Sequence, residues 1–570
     1  MKINFFYEVK NEEKFTGKKL IDLLLENRHI KDKKEFLNPI HPLKISLLNF
    51  SPKIEIGKSL KITFKILKEL KDSGKMIVIY TDYDADGITG GAIIWETLYL
   101  LGFKVMPYVP DRKTEGYGFT IAGIDNVIKK YNPALIISVD HGITKIKEVE
   151  YAYNKGIKVI ITDHHLKSDK IPMAEAIFHI PSLSGSGVAY FFAKEIFNYF
   201  SQNKNFPLLK ETIKVLEKNF SHDYLAIASI GTIADLVPLI GPSRAIVKYG
   251  LEIFNKVNRL GIKHILKEAG IEEKKITPYD IGFIIAPRIN ATGRLKTALD
   301  ALRLLCTKKE SRALYLASYM GKINRERQDL LEKAVDEARQ RLEIKHQRPK
   351  IIILKSDFWH EGIIGLIASK ITEEYYRPTI VLTKSDGYYK GSARSIPNFH
   401  MTNFLRSLKE FLIDVGGHEQ AAGFTISEEK INDFIKSAQK RVDDWLKEDD
   451  LERKINADFK IPIAKINLDL VKTIDFLSPF GIGNPQPLFY SEGVISDAKL
   501  FGKKNEHLKV YISSEEKVKT ENQNLELIGF KQGEIFSQLF RHQKIKVVYT
   551  LEIDHWGERE KVRGKILFFS

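Results

Sequence analysis

The sequence predicts an α/β protein of several lobes: a parallel-sheet lobe, a long connecting helix, a smaller α/β lobe and a C-terminal β-barrel. Three observations predict it. Between about residues 60 and 165 short apolar runs alternate with helix-like segments, as in a parallel sheet covered on both faces. "KINRERQDLLEKAVDEARQRLEIKHQ" keeps apolar residues at helical spacing, with neither Gly nor Pro after Gly321. From "INADFKI" onward, short alternating segments read as strands of a small barrel.

Each element follows from its residues. "MIVIYTD", "VMPYVP", "PALIISVD" and "IKVIITDHH" are strands, and "GGAIIWETLYLLGF" and "AGIDNVIKKYN" are helices between them. Residues 180–310 read mostly helical, around "YLAIASIGTIADLVPLI" and "RAIVKYGLEIFNKVNRL". The smaller α/β lobe opens with the strand "PKIIILKSD", the helix "EGIIGLIASKITEEYY" and the strand "PTIVLT". Glycine-rich turns are expected at "YYKGSARS" and "DVGGHEQAAGF". "HLKVYIS" and "KIKVVYTLEI" are barrel strands, and the oligonucleotide-binding (OB) fold is one common barrel of this size.

Composition narrows the function classes. At 570 residues the chain holds several domains, and 43% hydrophobic with 28% charged residues is ordinary globular composition. A formal charge of +16 favours phosphate-backbone partners and is also compatible with anionic membranes or a lysine-rich background. The 89 Lys and Arg residues are dispersed, which argues for basic faces rather than a basic tail. No apolar stretch reaches the roughly 18–20 residues that cross a bilayer, so no membrane partner is expected. "MKINFFYEVKNEEKF" lacks an apolar run with a cleavage site and is not a signal peptide. The single cysteine, Cys306, reads as a core thiol, and the chain as cytoplasmic.

The chemistry concentrates at strand ends. "TDYDADGITG" satisfies the first half of a calcium-loop pattern with Asp82, Asp84, Asp86 and Gly87, but position 12 is Ile93 and a strand precedes it. That reading fails. Ligands of open parallel sheets sit beyond the carboxyl ends of the strands. Three strands end in metal-competent residues: Asp82, Asp84 and Asp86; Asp140 and His141; Asp163, His164 and His165. Acids with one or two imidazoles suit Mg(II) or Mn(II), and several carboxylates in a small volume imply two ions. The absence of cysteine ligands argues against structural zinc. A haloacid-dehalogenase-type phosphatase would use the first Asp as nucleophile but has no need of "DHH".

In this order, "DYDADG", "VDHG", "DHH" and "GTIADLVPL" resemble the DHH phosphoesterase superfamily. Its RecJ family, a branch of single-strand-specific 5′→3′ DNA exonucleases, is further resembled at "PRINATGRL", "NRERQ", "WHEGIIGLIASKI", "GSARS", "GGHEQAAG" and "FGIGNPQPLF". The resemblance implies a DHH lobe at 61–310 behind an N-terminal extension (1–60) packing on the core. A connecting helix at 311–347, a DHHA1 lobe at 348–448 and an OB-like nucleic-acid-binding domain at 453–570 would follow. By the same resemblance two divalent ions, Mn(II) or Mg(II), are held by Asp84, Asp86, Asp140, His164 and Asp235. Asp82 is either a further ligand or an orienting residue. His165 and the bridging Asp140 are the catalytic residues, with His165 facing the scissile phosphate or its attacking water. Many relatives carry His where this chain has Tyr80, which puts the first ion's ligand set in question.

Substrate-binding candidates come from the remaining motifs. Arg288, Asn290 and Arg294 place guanidinium and amide donors on what reads as a tight segment, apt for phosphate oxygens, or else a helix-capping turn with surface arginines. Ser392, Arg394, Gly417 and His418 accompany glycines that let backbone N–H groups approach an anion. Gln328 is a further candidate on the long helix. The resemblance implies single-stranded DNA as substrate in DNA repair and recombination, with single-strand-binding protein and a helicase as partners. Two rivals share the superfamily: a small-substrate enzyme such as an oligoribonuclease or pyrophosphatase, and a non-catalytic DNA-binding relative. The basic excess and terminal barrel weigh against the first, the intact acids and both histidines against the second.

Overall fold

The computed structural model describes residues 2–570 apart from 113, 117, 344–348, 386, 515–523 and 555–559. The chain forms two compact units. The larger holds Ile3–Asn290, Ala298–Ala317 and Asn456–Ser570; the other holds Lys2, Ala291–Thr297 and Ser318–Ile455.

In the larger unit a five-stranded, all-parallel sheet runs in the order Val105–Tyr108, Ile77–Thr81, Leu135–Val139, Lys158–Asp163, Ala176–His179. Its central strands are buried along their whole length, which is why they read as unbroken apolar runs. The fifth strand was not expected: "AIFH" is too short to stand out and gains its identity only by pairing with Ile160–Asp163. The first strand in sequence lies between the second and third, so strand order reverses beside Thr81 and Val139. Such a switch point opens a crevice at the carboxyl edge. The helix Ala85–Leu100 leaves that edge and packs on the helices Gly185–Ser201 and Tyr224–Ala234. It begins earlier than the apolar run suggested, because Asp84 caps it through the N–H groups of Asp86 and Gly87.

The same unit contains the barrel. Phe489–Phe501, His507–Ser513, Leu525–Gly529, Lys561–Phe569 and Lys544–Asp554 pair in that order, and the last closes on the first. Closure removes exposed strand edges. Lys454–Lys460 and Lys2–Glu8 extend the sheet beside Phe489. Leu20, Leu24 and Leu25 of the helix Gly17–Asn27 share the barrel core with Phe459, Phe489 and Tyr549. Arg244 ties the parts together. Its fully buried guanidinium lies over the Phe36 ring and donates to the carbonyls of Phe36, Leu477, Ser478 and Pro479. Burial draws its pKa down to about 10, and the four acceptors stand in for a counter-ion.

The other unit has a mixed sheet in the order Leu412–Gly417, Ala421–Ser427, Tyr388–Arg394, Thr379–Ser385, Ile352–Lys355. Only the last pair is parallel. The helix Ile431–Trp445 buries Phe434, Ala438 and Val442 in its core. The long helix Glu310–Glu343 contributes Ala334, Val335 and Ala338 to a second cluster with Ile352, Leu354 and Trp359. The end of the connecting helix expected at 311–347 lies outside the described residues. The first glycine-rich segment expected as a turn is a strand, and the second is two strands joined by a turn at His418–Gln420. Gly391 sits in mid-strand because the Phe424 ring lies across it, where any Cβ would collide. "PRINATGRL" is likewise no tight turn but part of the helix Ala286–Leu295. Among the described residues no helix is long and apolar enough to cross a membrane.

Candidate metal centre and substrate-facing residues

Strand ends and two helix ends build the centre. Asp82 follows the first strand, Asp84 caps the next helix, and Asp86 lies in its first turn. Asp140 follows its strand in the left-handed region (φ 67°), a costly conformation for a non-glycine residue held by its surroundings. Asp163 ends the fourth strand, His164 and His165 follow it, and Asp235 caps the C-terminus of Tyr224–Ala234. His164 Nε2 stands 3.1 Å from Asp140 Oδ1, 3.4 Å from Asp235 Oδ2 and 3.9 Å from Asp86 Oδ2. Three overlapping groups can hold a metal ion: Asp140, His164 and His165; Asp86, His164 and Asp235; Asp82, Asp84 and Asp140.

The electrostatics fit divalent cations. Burial, then the neighbouring acids, raises the Asp140 carboxyl well above the ordinary range. Asp84 is raised by burial and Asp86, and Asp235 is pushed up to about 8 by burial, Asp86 and Asp84. Burial lowers the His164 imidazole. Asp140 Oδ1 and His164 Nε2 are buried without a hydrogen-bond partner among the described residues. Orphaned buried ligand atoms beside repelling carboxylates are what a bound cation satisfies.

Supporting groups orient the acids. Asp86 accepts from the N–H groups of Gly185 (2.6 Å) and Ser186 (2.9 Å) at the start of Gly185–Ser201. Gly185 also lies against Asp140, where a Cβ would strike the carboxylate. Sequence reasoning missed both residues, although "SGSG" with Ser184 as cap is a readable helix start. Asp163, expected as metal-competent, instead accepts from the N–H groups of Ile143, His164 and His165 and contacts His165 Nδ1 at 2.8 Å. Despite its burial, these partners hold it well below the carboxylate range. An ionised Asp163 requires a proton on Nδ1 and so fixes the orientation of the His165 ring. Burial opposes charge on His165, but Asp163 raises it to about 9.

Two strand-end residues stand apart from the acids. His141 is enclosed by Tyr80 and Phe119, and burial lowers it to about 4. Tyr80, fully buried, packs on Tyr108 and Phe119 and donates to Gly118 O at 3.3 Å. It belongs to the hydrophobic core, and the group of Asp82, Asp84 and Asp140 forms without it.

Of the substrate-binding candidates in the larger unit, Asn290 Oδ1 accepts from Ala85 N at 2.7 Å and fixes the helix start between Asp84 and Asp86. Arg288 is paired with Glu268 at 2.7 Å and donates to Ile284 O. In the other unit Arg294 donates to Gly362 O at 3.1 Å. Ser392 and Arg394 point from one strand face toward Gly365 in the first turn of Ile364–Tyr375. Burial lowers Arg394, which makes no ion pair with a described carboxylate. Gly417 and His418 close an exposed hairpin, where His418 N donates to Ala421 O at 2.8 Å. Gln328 is exposed on the long helix; Asn324, one turn earlier, is buried, and its Oδ1 has no hydrogen-bond partner among the described residues.

Acids and imidazoles gathered at the switch point of a parallel sheet define a metal-dependent phosphoesterase of the DHH class. The models of the DHH family N-terminal domain, the DHHA1 domain and the RecJ OB domain match residues 76–228, 348–447 and 457–567. The single-stranded-DNA-specific exonuclease RecJ of Haemophilus influenzae is 32% identical over 94% of this chain and 93% of its own length. That of Bacillus subtilis is 33% identical over 88% of this chain, which spans 62% of the Bacillus protein. The crystal structure of RecJ from Thermus thermophilus with Mn2+ superposes with a TM-score of 0.80 at 26% identity, covering 100% of this chain and 79% of that one. The chain belongs to the RecJ family.

Proposed function

We propose that this protein hydrolyses single-stranded DNA exonucleolytically from the 5′ end, with two divalent ions, in DNA repair and recombination. The observation that carries the reading is the pair of orphaned, buried ligand atoms on Asp140 and His164, within reach of Asp86 and Asp235. Asp82, Asp84, Asp86, Asp140, His164 and Asp235 would hold the ions, which when bound neutralise phosphate charge and make a water nucleophilic at neutral pH. His165, oriented through Nδ1 by Asp163, offers Nε2 to the phosphate or the attacking water. Arg394 and Ser392 at a helix N-terminus, with Arg294, His418 and the N–H of Gly417, form a donor set for substrate phosphate. Asn290 acts by fixing the Asp84–Asp86 turn, and Arg288 by holding Glu268. Gln328 is an exposed polar contact. The domain divisions 1–60, 61–310, 311–347, 348–448 and 453–570, a cytoplasmic location, and partnership with single-strand-binding protein and a helicase belong to the same reading.

The test compares 5′- and 3′-labelled single-stranded DNA with Mn(II), Mg(II) or chelator. Early release of the 5′ label alone, abolished by chelator, is expected. Release of the 3′ label first, or efficient attack on blunt duplex, overturns the reading. Hydrolysis confined to short oligonucleotides would favour a small-substrate enzyme.

A further inference from the structure

A pair of exposed aromatic rings lies on the helix that reaches the metal centre. Tyr279 and Phe283 stack with centroids 4.8 Å apart and an interplanar angle of 26°. They are 62% and 69% exposed, against the ordinary tendency of large rings to be buried. Pro278–Asp280, the π turn Ile281–Ile285 and Ala286–Leu295 follow without a break, so both rings share one helix with Asn290. The exposed and half-exposed positions Tyr279, Phe283, Pro287 and Asn290 recur at one-turn spacing and mark one face. Asn290 is hydrogen-bonded to the turn between Asp84 and Asp86. Gly282 faces Ile233, two residues before Asp235, and so docks this helix beside the metal-ligating end of its neighbour.

We propose that Tyr279 and Phe283 form a stacking subsite for bases of the single strand whose backbone lies at the metal centre. Phe283 is seven residues from Asn290, about 10 Å along a helix at 1.5 Å per residue. That is roughly three stacked-base spacings of about 3.4 Å. Stacking on an aromatic face is sequence-tolerant, as suits an enzyme that degrades any strand. A strand is favoured over a second copy of this chain because the face is continuous with the acidic centre through Asn290, and the formal charge of +16 attracts a polyanion. Trp95 and Tyr99 also stack, but lie toward the opposite end of the helix from Asp86 and serve as an internal control.

The subsite rests on the proposed nuclease activity, so the experiment separates the two. KM for 5′-labelled single-stranded DNA is measured for the wild type and for Phe283→Ala, Phe283→Leu, Phe283→Trp and the control Tyr99→Ala. The same series is run on DNA carrying abasic sites near the labelled end. Loss of one stacked base predicts a rise in KM of about tenfold for the Ala and Leu variants. Trp retains tight binding, and Tyr99→Ala matches the wild type. On abasic DNA the wild type loses the same factor and Phe283→Ala loses nothing more. A Leu variant equal to wild type, or an Ala variant with unchanged KM, overturns the subsite. So does a wild-type dimer in light scattering that Phe283→Ala dissolves, since the face then serves a second copy. A wild type inert on single-stranded DNA sinks the nuclease reading itself; an active wild type with an indifferent variant sinks only the subsite.

Discussion

The carboxyl edge of the parallel sheet and the Ser392–Arg394 strand of the mixed sheet both place charge at strand positions, yet they hold it in opposite ways. At the first, carboxyl groups are buried together, and burial with the neighbouring acids raises the proton affinity of Asp140 and Asp235. At the second, a single guanidinium is hydrogen-bonded to Ala393 O and Ser392 Oγ without a described carboxylate beside it. One region gathers mutually repelling carboxyls; the other holds a lone guanidinium among neutral acceptors. Clustered carboxyls store repulsion that a cation relieves, whereas a half-buried arginine keeps its charge through neutral acceptors.

The largest expected effect comes from breaking the acidic side. Asp140→Asn should remove detectable nuclease turnover while raising the melting temperature of the metal-free protein, because one of the mutually repelling buried carboxyls is gone. A lower melting temperature in chelator would contradict stored repulsion. The next effect is on metal affinity. Burial, Asp86 and Asp84 push the Asp235 carboxyl up to about 8, so metal must displace a proton there at lower pH. Mn(II) affinity measured by calorimetry should therefore rise as pH approaches 8, by about tenfold per pH unit for each proton displaced. A flat profile from pH 6 to 8 would show that Asp235 is ionised without metal.

Asp163→Asn tests orientation instead of ligation. Loss of a group that orients a histidine at a metal site costs about 10–100-fold in activity. It should also move the His165 titration, followed by NMR, down from about 9 toward the ordinary imidazole value. Reduced activity with an unmoved titration would separate the two roles. The smallest effect is on the anion side. Arg394→Lys keeps the charge but loses the planar fork, and kcat/KM on single-stranded DNA should fall about tenfold. If Lys equals Arg in turnover, the position acts as a point charge only.

Much of this architecture was legible in the residues. Strands buried on both faces need unbroken apolar runs, and acids that end three of them are visible as "DYDADG", "VDHG" and "DHH". What could not be read depended on neighbours distant in sequence. Asp163 resembled a ligand, but its role follows from three N–H groups and one imidazole that converge on it. Tyr80 put the first ion's ligand set in question, and nothing local to its strand showed that its ring packs among Tyr108, Phe119 and His141. Gly391 signalled a turn because local pattern carries no trace of Phe424 lying across it.

The sequence by itself determined the α/β class, the four acid-bearing segments and the terminal barrel, because periodicity and strand-end chemistry are local properties. Only the tertiary structure decided the strand order that sets the switch point, the glycine and N–H groups that cradle Asp86, and the sharing of one helix face by Tyr279, Phe283 and Asn290. Those depend on strand pairing, helix packing and the phase of a π turn, which segments fix together and none encodes alone.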